Sequence, residues 1–165
     1  MLKFIKVQTQ AEIEQVAGLA KEIWAEHYTP IIGKAQVDYM IENFQSIPAI
    51  HDQIKKGYAY YLLNYNDKNA GYFSVLAQPT QKTMFLSKIY VDKAFRGKGL
   101  ARKSIEFIQT ISENIGLHSI WLTVNKHNAT SIAAYKKMGF GVEKELVQDI
   151  GGGFVMDDYK MLKTF

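Results

Sequence analysis

Arg96, Gly97, Lys98, Gly99, Leu100 and Ala101 follow an apolar run ending Ile89-Tyr90-Val91 and precede a stretch with helical spacing. A strand that stops at a glycine-rich turn and restarts as a helix presents unpaired backbone N–H groups, backed by the helix dipole, to an anion such as phosphate. Gly97 and Gly99 let a ligand approach the main chain closely and let the turn adopt dihedrals that other residues resist. Arg96 and Arg102 bracket this turn and are the only two arginines in a chain that uses lysine freely. A planar guanidinium suits phosphate better than an ammonium does. Asn128 and Tyr135 form a second group. Seven residues apart, they share one face of a helix and lie roughly 10 Å apart along its axis, so one extended ligand could touch both.

Three phosphate-loop readings compete for residues 96–104. A dinucleotide fingerprint, G-x-G-x-x-G, places Arg102 where its third glycine belongs. The P-loop pattern G-x-x-x-x-G-K-[ST] matches Gly97 and Lys103-Ser104 but puts Arg102 at the glycine that closes the loop over phosphates. The third pattern, R-x-x-G-x-A, is satisfied by Arg96, Gly99 and Ala101.

The elements that must position these groups are read from periodicity and turn chemistry. Residues 3–7 form a first strand, and Thr9 with Glu12 makes a capping box for a helix carrying Ile13, Val16, Ala20, Ile23 and Trp24 on one side. That helix ends near His27-Tyr28-Thr29-Pro30. A second short helix carries Val37, Met40, Ile41 and Phe44, and another helical turn or two carries Ile50 and Ile54. Residues 58–65 and 71–76 read as strands joined through Asn66-Asp67-Lys68-Asn69, and 84–91 is the strand that enters the glycine turn. The following helix turns Ala101, Ile105, Ile108, Ile111 or Ser112, and Ile115 inward and closes at Gly116. A strand over 119–124, a helix capped by Asn128 and ended by Gly139, and strands over 142–150 and 154–162 complete the chain. The order implies an α/β class with a mixed sheet covered by helices.

Composition limits what this frame can host. At 165 residues, 47% of them hydrophobic and 22% charged, the chain fits one domain over 1–165. With no cysteine, disulfides, thiolate metal sites and a cysteine nucleophile are excluded, in keeping with a reducing compartment. The four histidines, His27, His51, His118 and His127, have no metal-ligand spacing, so no metal is expected. There is no apolar run near 18 residues and no signal-peptide core, which implies a cytoplasmic protein without a membrane partner. The net charge of +4 is spread along the chain and does not form a nucleic-acid footprint, but would attract a polyanionic cofactor.

With the strand before R-x-x-G-x-A and the Asn128 to Phe140 segment after it, the chain resembles the GNAT superfamily of N-acetyltransferases. The resemblance is strongest over Leu86 to Phe140. The stretch from Ile120 to Phe140 is similar to bacterial PaiA-type polyamine acetyltransferases. The resemblance implies a mixed, mostly antiparallel sheet of about seven strands, flanked by about four helices, with a splayed strand pair at the cofactor site. It implies acetyl-coenzyme A as cosubstrate. Main-chain groups of the Ile89, Tyr90 and Val91 strand would hold the pantetheine arm, and residues 96–101 would surround the pyrophosphate. Asn128 would hydrogen-bond the pantetheine, and Tyr135 would sit beside the thioester sulfur as proton donor to the departing thiolate. A phenol near pKa 10 giving its proton to a thiolate near 8.5 is uphill by roughly 2 kcal/mol, feasible when coupled to bond breaking.

The implied function is direct acetyl transfer to a primary amine, a polyamine or other small amine, with a non-catalytic acyl-coenzyme A sensor of the same fold as the alternative. Some members of the family carry a glutamate base on the strand before the loop, but residues 84–91 contain no carboxylate, which leaves the base unassigned. Glu26, His27 and Tyr28 lie where the family binds its acceptor and could deprotonate it; packing against Trp24 is the competing reading for His27 and Tyr28. Asp157 and Asp158, with Asp38 and Glu42, could supply negative charge for a cationic acceptor or be a solvated edge. An exposed final strand or helix could support a homodimer.

Overall fold

The computed structural model describes residues 1–165. The fold is a mixed α/β arrangement with a seven-stranded, mostly antiparallel sheet. Its contacts divide into two compact units, Met1–Leu76 with Lys88–Ser104, and Ala77–Ser87 with Ile105–Phe165.

In the first unit, β1 (Leu2–Lys6) pairs antiparallel with β2 (Ala59–Tyr65), and β2 with β3 (Lys68–Gln78). Asn66 and Asp67, at φ 51° and 66°, make the two-residue turn between β2 and β3. Asn and Asp tolerate positive φ, and the tight turn lets β3 start at Lys68, earlier than the sequence suggests. Helix α1 (Gln10–His27) begins with the expected capping box: Thr9 accepts from the Glu12 amide, and the Glu12 side chain accepts from the Thr9 amide. Its buried stripe is Ile13, Val16, Ala20, Ile23 and Trp24.

A single turn, α2 (Thr29–Ile32), leads into α3 (Lys34–Phe44) and α4 (Ile47–Lys55), whose Val37, Met40 and Ile50 are buried. The strand β4 (Thr83–Val91) ends in this unit. There β3 comes unusually close, because a Cβ on Gly71 would lie 2.2 Å from the Tyr90 carbonyl oxygen. Only glycine fits at that point.

In the second unit, the start of β4 runs parallel to β5 (Ser119–Asn125), with Thr83 opposite Ser119 and Phe85 opposite Trp121. β5 pairs antiparallel with β7 (Phe154–Thr164), from Ser119 opposite Thr164 to Asn125 opposite Asp158. β7 pairs in turn with the edge strand β6 (Gly141–Gly151). Ile120, Leu122, Val124 and Met161 form the buried face.

Helix α5 (Leu100–Asn114) begins in the first unit and continues into the second, and α6 (Ala129–Lys137) follows β5. Six helical segments stand where about four were expected, since α2 is one turn and α3 and α4 are short. Ile115, expected inward on α5, is exposed: the helix stops at Asn114 and the Leu117 amide turns back to the Ser112 carbonyl. No helix is long and apolar enough to cross a membrane.

Candidate active site

The glycine turn is built from both ends. Asp92 donates its amide to the Ala70 carbonyl at 2.8 Å, and its side chain accepts from the Ala94 amide at 2.9 Å, starting the 3-10 turn Lys93–Phe95. Gly97 and Gly99 then adopt φ of 80° and 75°, and nothing lies within 4 Å of where either Cβ would stand. The main chain is thus bare on its open side, and α5 starts at once with buried Leu100 as its anchor. Ala101 is half-buried, whereas Lys98 and Arg102 project into solvent. Bare amides at a helix start, two flanking guanidiniums and an ammonium form a surface that suits a pyrophosphate.

Arg96 does not hang loose beside this turn. Its Nε donates to the Val91 carbonyl at 3.0 Å and its Nη1 to Glu26 Oε1 at 2.7 Å. Glu26, read from the sequence as an acceptor residue, is therefore the partner of Arg96. The neighbouring His27 and Tyr28 join an aromatic cluster. Tyr28 stacks on Trp24 at 4.3 Å and meets Tyr90 edge-on at 6.2 Å, while His27 meets Tyr28 edge-on at 4.8 Å. Tyr90 also packs against Trp24 and Tyr72, both at 5.5 Å. The end of β4 is thus wedged by aromatics on one face, with Ile89 and Val91 half-buried beside it.

A buried cation on β4 was missed in the sequence. Lys88 is 7% exposed, donates to Gln53 Oε1 at 2.8 Å and lies 5.5 Å from the Tyr60 ring centroid. Burial pulls its ammonium down to about 8. The signal was available: Met84, Leu86 and Lys88 alternate on the strand, so Lys88 shares the buried face.

The second unit places Asn128 and Tyr135 on α6. Asn128 is buried and caps the helix, accepting from the Ser131 amide at 3.4 Å while its own amide donates to the Asn125 carbonyl. Tyr135 is half-buried, with its ring edge-on to Phe140 at 5.7 Å. Of the four acidic candidates, Asp38 forms an exposed pair with Lys34 on α3 and Glu42 is exposed. Asp157 Oδ1 lies 2.8 Å from Lys126 Nζ, close in distance but off the hydrogen-bond direction. Asp158 is 3% exposed, and its Oδ1 has no hydrogen-bond partner. Burial, then the adjacent Asp157 charge, raises the Asp158 carboxyl to about 6.

The model of the Acetyltransferase (GNAT) family matches residues 18–140. A probable spermine N(1)-acetyltransferase from Bacillus subtilis subsp. natto is 32% identical over 74 residues, 44% of this chain and 47% of the relative. The [Ribosomal protein bS18]-alanine N-acetyltransferase of Escherichia coli K12 is 31% identical over 83 residues, 50% of this chain and 55% of the relative. The chain thus spans about half the length of the curated relatives it matches. A crystal structure of the PaiA N-acetyltransferase of Thermoplasma acidophilum, in complex with coenzyme A, superposes over 100% of this chain and 99% of its own, with a TM-score of 0.82 at 17% identity.

Proposed function

The chain belongs to the GNAT acetyltransferase family, and from that premise we propose that it transfers the acetyl group of acetyl-coenzyme A directly to a primary amine, a polyamine or another small amine. The observation that carries the reading is the bare main chain at Gly97 and Gly99 where β4 turns into α5. The family and the coenzyme A complex of the PaiA relative support the cofactor. The spermine acetyltransferase relative supports the acceptor class, although a relative named for the alanine of a ribosomal protein keeps a peptide N-terminus in view.

When bound, the thioester supplies an activated acetyl group and a thiolate leaving group. In the first unit, the amides of residues 97–101 and the Arg96 guanidinium bind the pyrophosphate, and main-chain groups of Ile89, Tyr90 and Val91 align the pantetheine. In the second unit, Asn128 holds the pantetheine and the Tyr135 hydroxyl gives its proton to the departing sulfur. His27 and Tyr28 line the acceptor side, and Glu26 pairs with the Arg96 guanidinium in the unliganded chain.

One observation favours a non-catalytic acyl-coenzyme A sensor: β4 carries no carboxylate, and its buried ionisable group is Lys88 instead. Free thiol released from acetyl-coenzyme A across an amine panel discriminates the two. An enzyme releases thiol with at least one amine and loses about 100-fold in kcat in Tyr135→Phe with unchanged cofactor affinity. A sensor binds the cofactor and releases none.

A further inference from the structure

Glu26 is tied to Arg96, and the rings of His27 and Tyr28 pack in an aromatic cluster, so none of the three stands out as the group that takes the proton from the incoming ammonium. We propose that Asp158 is that catalytic base, and that its buried carboxylate selects an acceptor carrying a primary ammonium. The inference rests on the acetyltransferase reading.

The geometry lies within the second unit. Asp158 is the ladder partner of Asn125, the last residue of β5, and of Leu146 on β6, so its cross-strand neighbours are uncharged. The turn that follows Asn125 is fastened to the same place, since the Lys126 amide donates to the Asp157 carbonyl at 3.0 Å and the Asn128 amide to the Asn125 carbonyl at 3.0 Å. Asp158 therefore stands beside the turn that presents Asn128. The two cations nearest this point are engaged elsewhere: Lys126 in the turn has its Nζ 2.8 Å from Asp157 and 3.5 Å from Glu145, and Lys160, two positions along β7, has its Nζ 3.2 Å from Glu143. Asp157 and Glu145 thus share the Lys126 ammonium. Asp157 and Asp158 both lack a hydrogen-bond donor at Oδ1, and Asp158 is by far the more deeply buried residue of the two.

A buried carboxylate oxygen without a donor is unfavourable, and an N–H of a substrate ammonium is the donor that both satisfies and neutralises it. Asp157, half-exposed and paired with Lys126, is the poorer base. Burial and the Asp157 charge hold the Asp158 carboxyl at about 6, against the smaller opposing pull of Lys126. It is thus ionised at neutral pH, yet more basic than an ordinary carboxylate, as general-base catalysis favours.

The step balances. One proton passes from the ammonium to Asp158 and on to water. The freed nitrogen lone pair bonds to the acetyl carbon as the carbon–sulfur bond breaks. The Tyr135 hydroxyl protonates the departing sulfur and its phenolate recovers the second nitrogen proton, so the products are the amide, the free thiol and one proton.

The test uses the full chain, with spermidine, spermine and an alanine-initiated peptide as probes, and follows thiol release from pH 5 to 9 alongside coenzyme A binding. Asp158→Asn is expected to bind coenzyme A as the wild type does, to lose roughly 100-fold in kcat at pH 7 and to lack the rise in rate near pH 6. Asp157→Asn, which removes the neighbouring charge, is expected to keep its activity while that rise moves to lower pH. It reports on Asp158 even if Asp158→Asn does not fold. An Asp158→Asn protein within threefold of wild type, or a limb that Asp157→Asn leaves in place, overturns the assignment while the acetyltransferase reading stands. Coenzyme A binding without turnover on any probe overturns both.

Discussion

Asp158 couples stability to pH in a direction opposite to that of most carboxylates. Its folded-state value, about 6, lies above the ordinary 3.8, so the native chain holds the proton more tightly than the unfolded one. The associated stability is fully present below about pH 4 and is lost as pH rises through about 6. Asp158→Asn should therefore raise the unfolding free energy read from urea melts at pH 7.5, by at most about 3 kcal/mol, and leave it little changed near pH 4. A variant that is both more stable and far less active at neutral pH is what a functional, strained group predicts.

Arg96 and Glu26 make a second residue-scale prediction with two opposite signs. On the proposed reading Arg96→Ala removes a charged phosphate ligand, and it should weaken coenzyme A binding by roughly 10- to 100-fold. Glu26→Gln removes the carboxylate that competes for the same guanidinium and should tighten it a few-fold at low salt, the scale of an exposed ion pair. Isothermal titration of both variants checks this, and a shared sign contradicts the assigned roles.

At the scale of elements, the decisive contact is β3 against the end of β4. A methyl group on Gly71 would meet backbone, the Tyr90 carbonyl, and not the movable end of a side chain. Gly71→Ala should lose about 1–3 kcal/mol and weaken coenzyme A binding together, because the strand end proposed to align the pantetheine must shift. Gly18→Ala in the middle of α1 has open space and should instead gain about 0.5–1 kcal/mol without changing binding, as urea melts and titration would show.

The elements themselves were mostly legible in the chain. Thr9 with Glu12, Asn66 with Asp67, and Asn128 are local signals, and each governs only residues three or four positions away, so tertiary structure had little chance to override them. What escaped was set by distant partners. Gly71 reads as an ordinary strand glycine until Tyr90 is placed beside it. Nothing near Glu26 announces an arginine 70 positions later. Met156, Asp158 and Lys160 alternate as a polar edge would, and only the pairing of Asp158 with Asn125 and Leu146 sets it inside the sheet. Tyr135, by contrast, was singled out through family likeness, and its place on α6 adds position without assigning a role.

For the whole molecule, net charge +4 and an isoelectric point near 9.1 bear on association rather than fold. A polyanion such as coenzyme A is drawn by that field over a distance of about 8 Å at physiological ionic strength. Raising salt from 50 to 500 mM should slow its association and weaken its binding. The ratio of Asp158→Asn to wild-type kcat at saturation should stay constant, because that step occurs after capture. Stopped-flow binding and steady-state assays separate the two. The proposed reaction is read most directly from the thiol released from acetyl-coenzyme A with spermidine, spermine or an alanine-initiated peptide. Release is expected with at least one amine, matched mole for mole by acetylated product and lowered about 100-fold in Tyr135→Phe. Coenzyme A binding with no release on any amine would rule out acetyl transfer and leave a sensor.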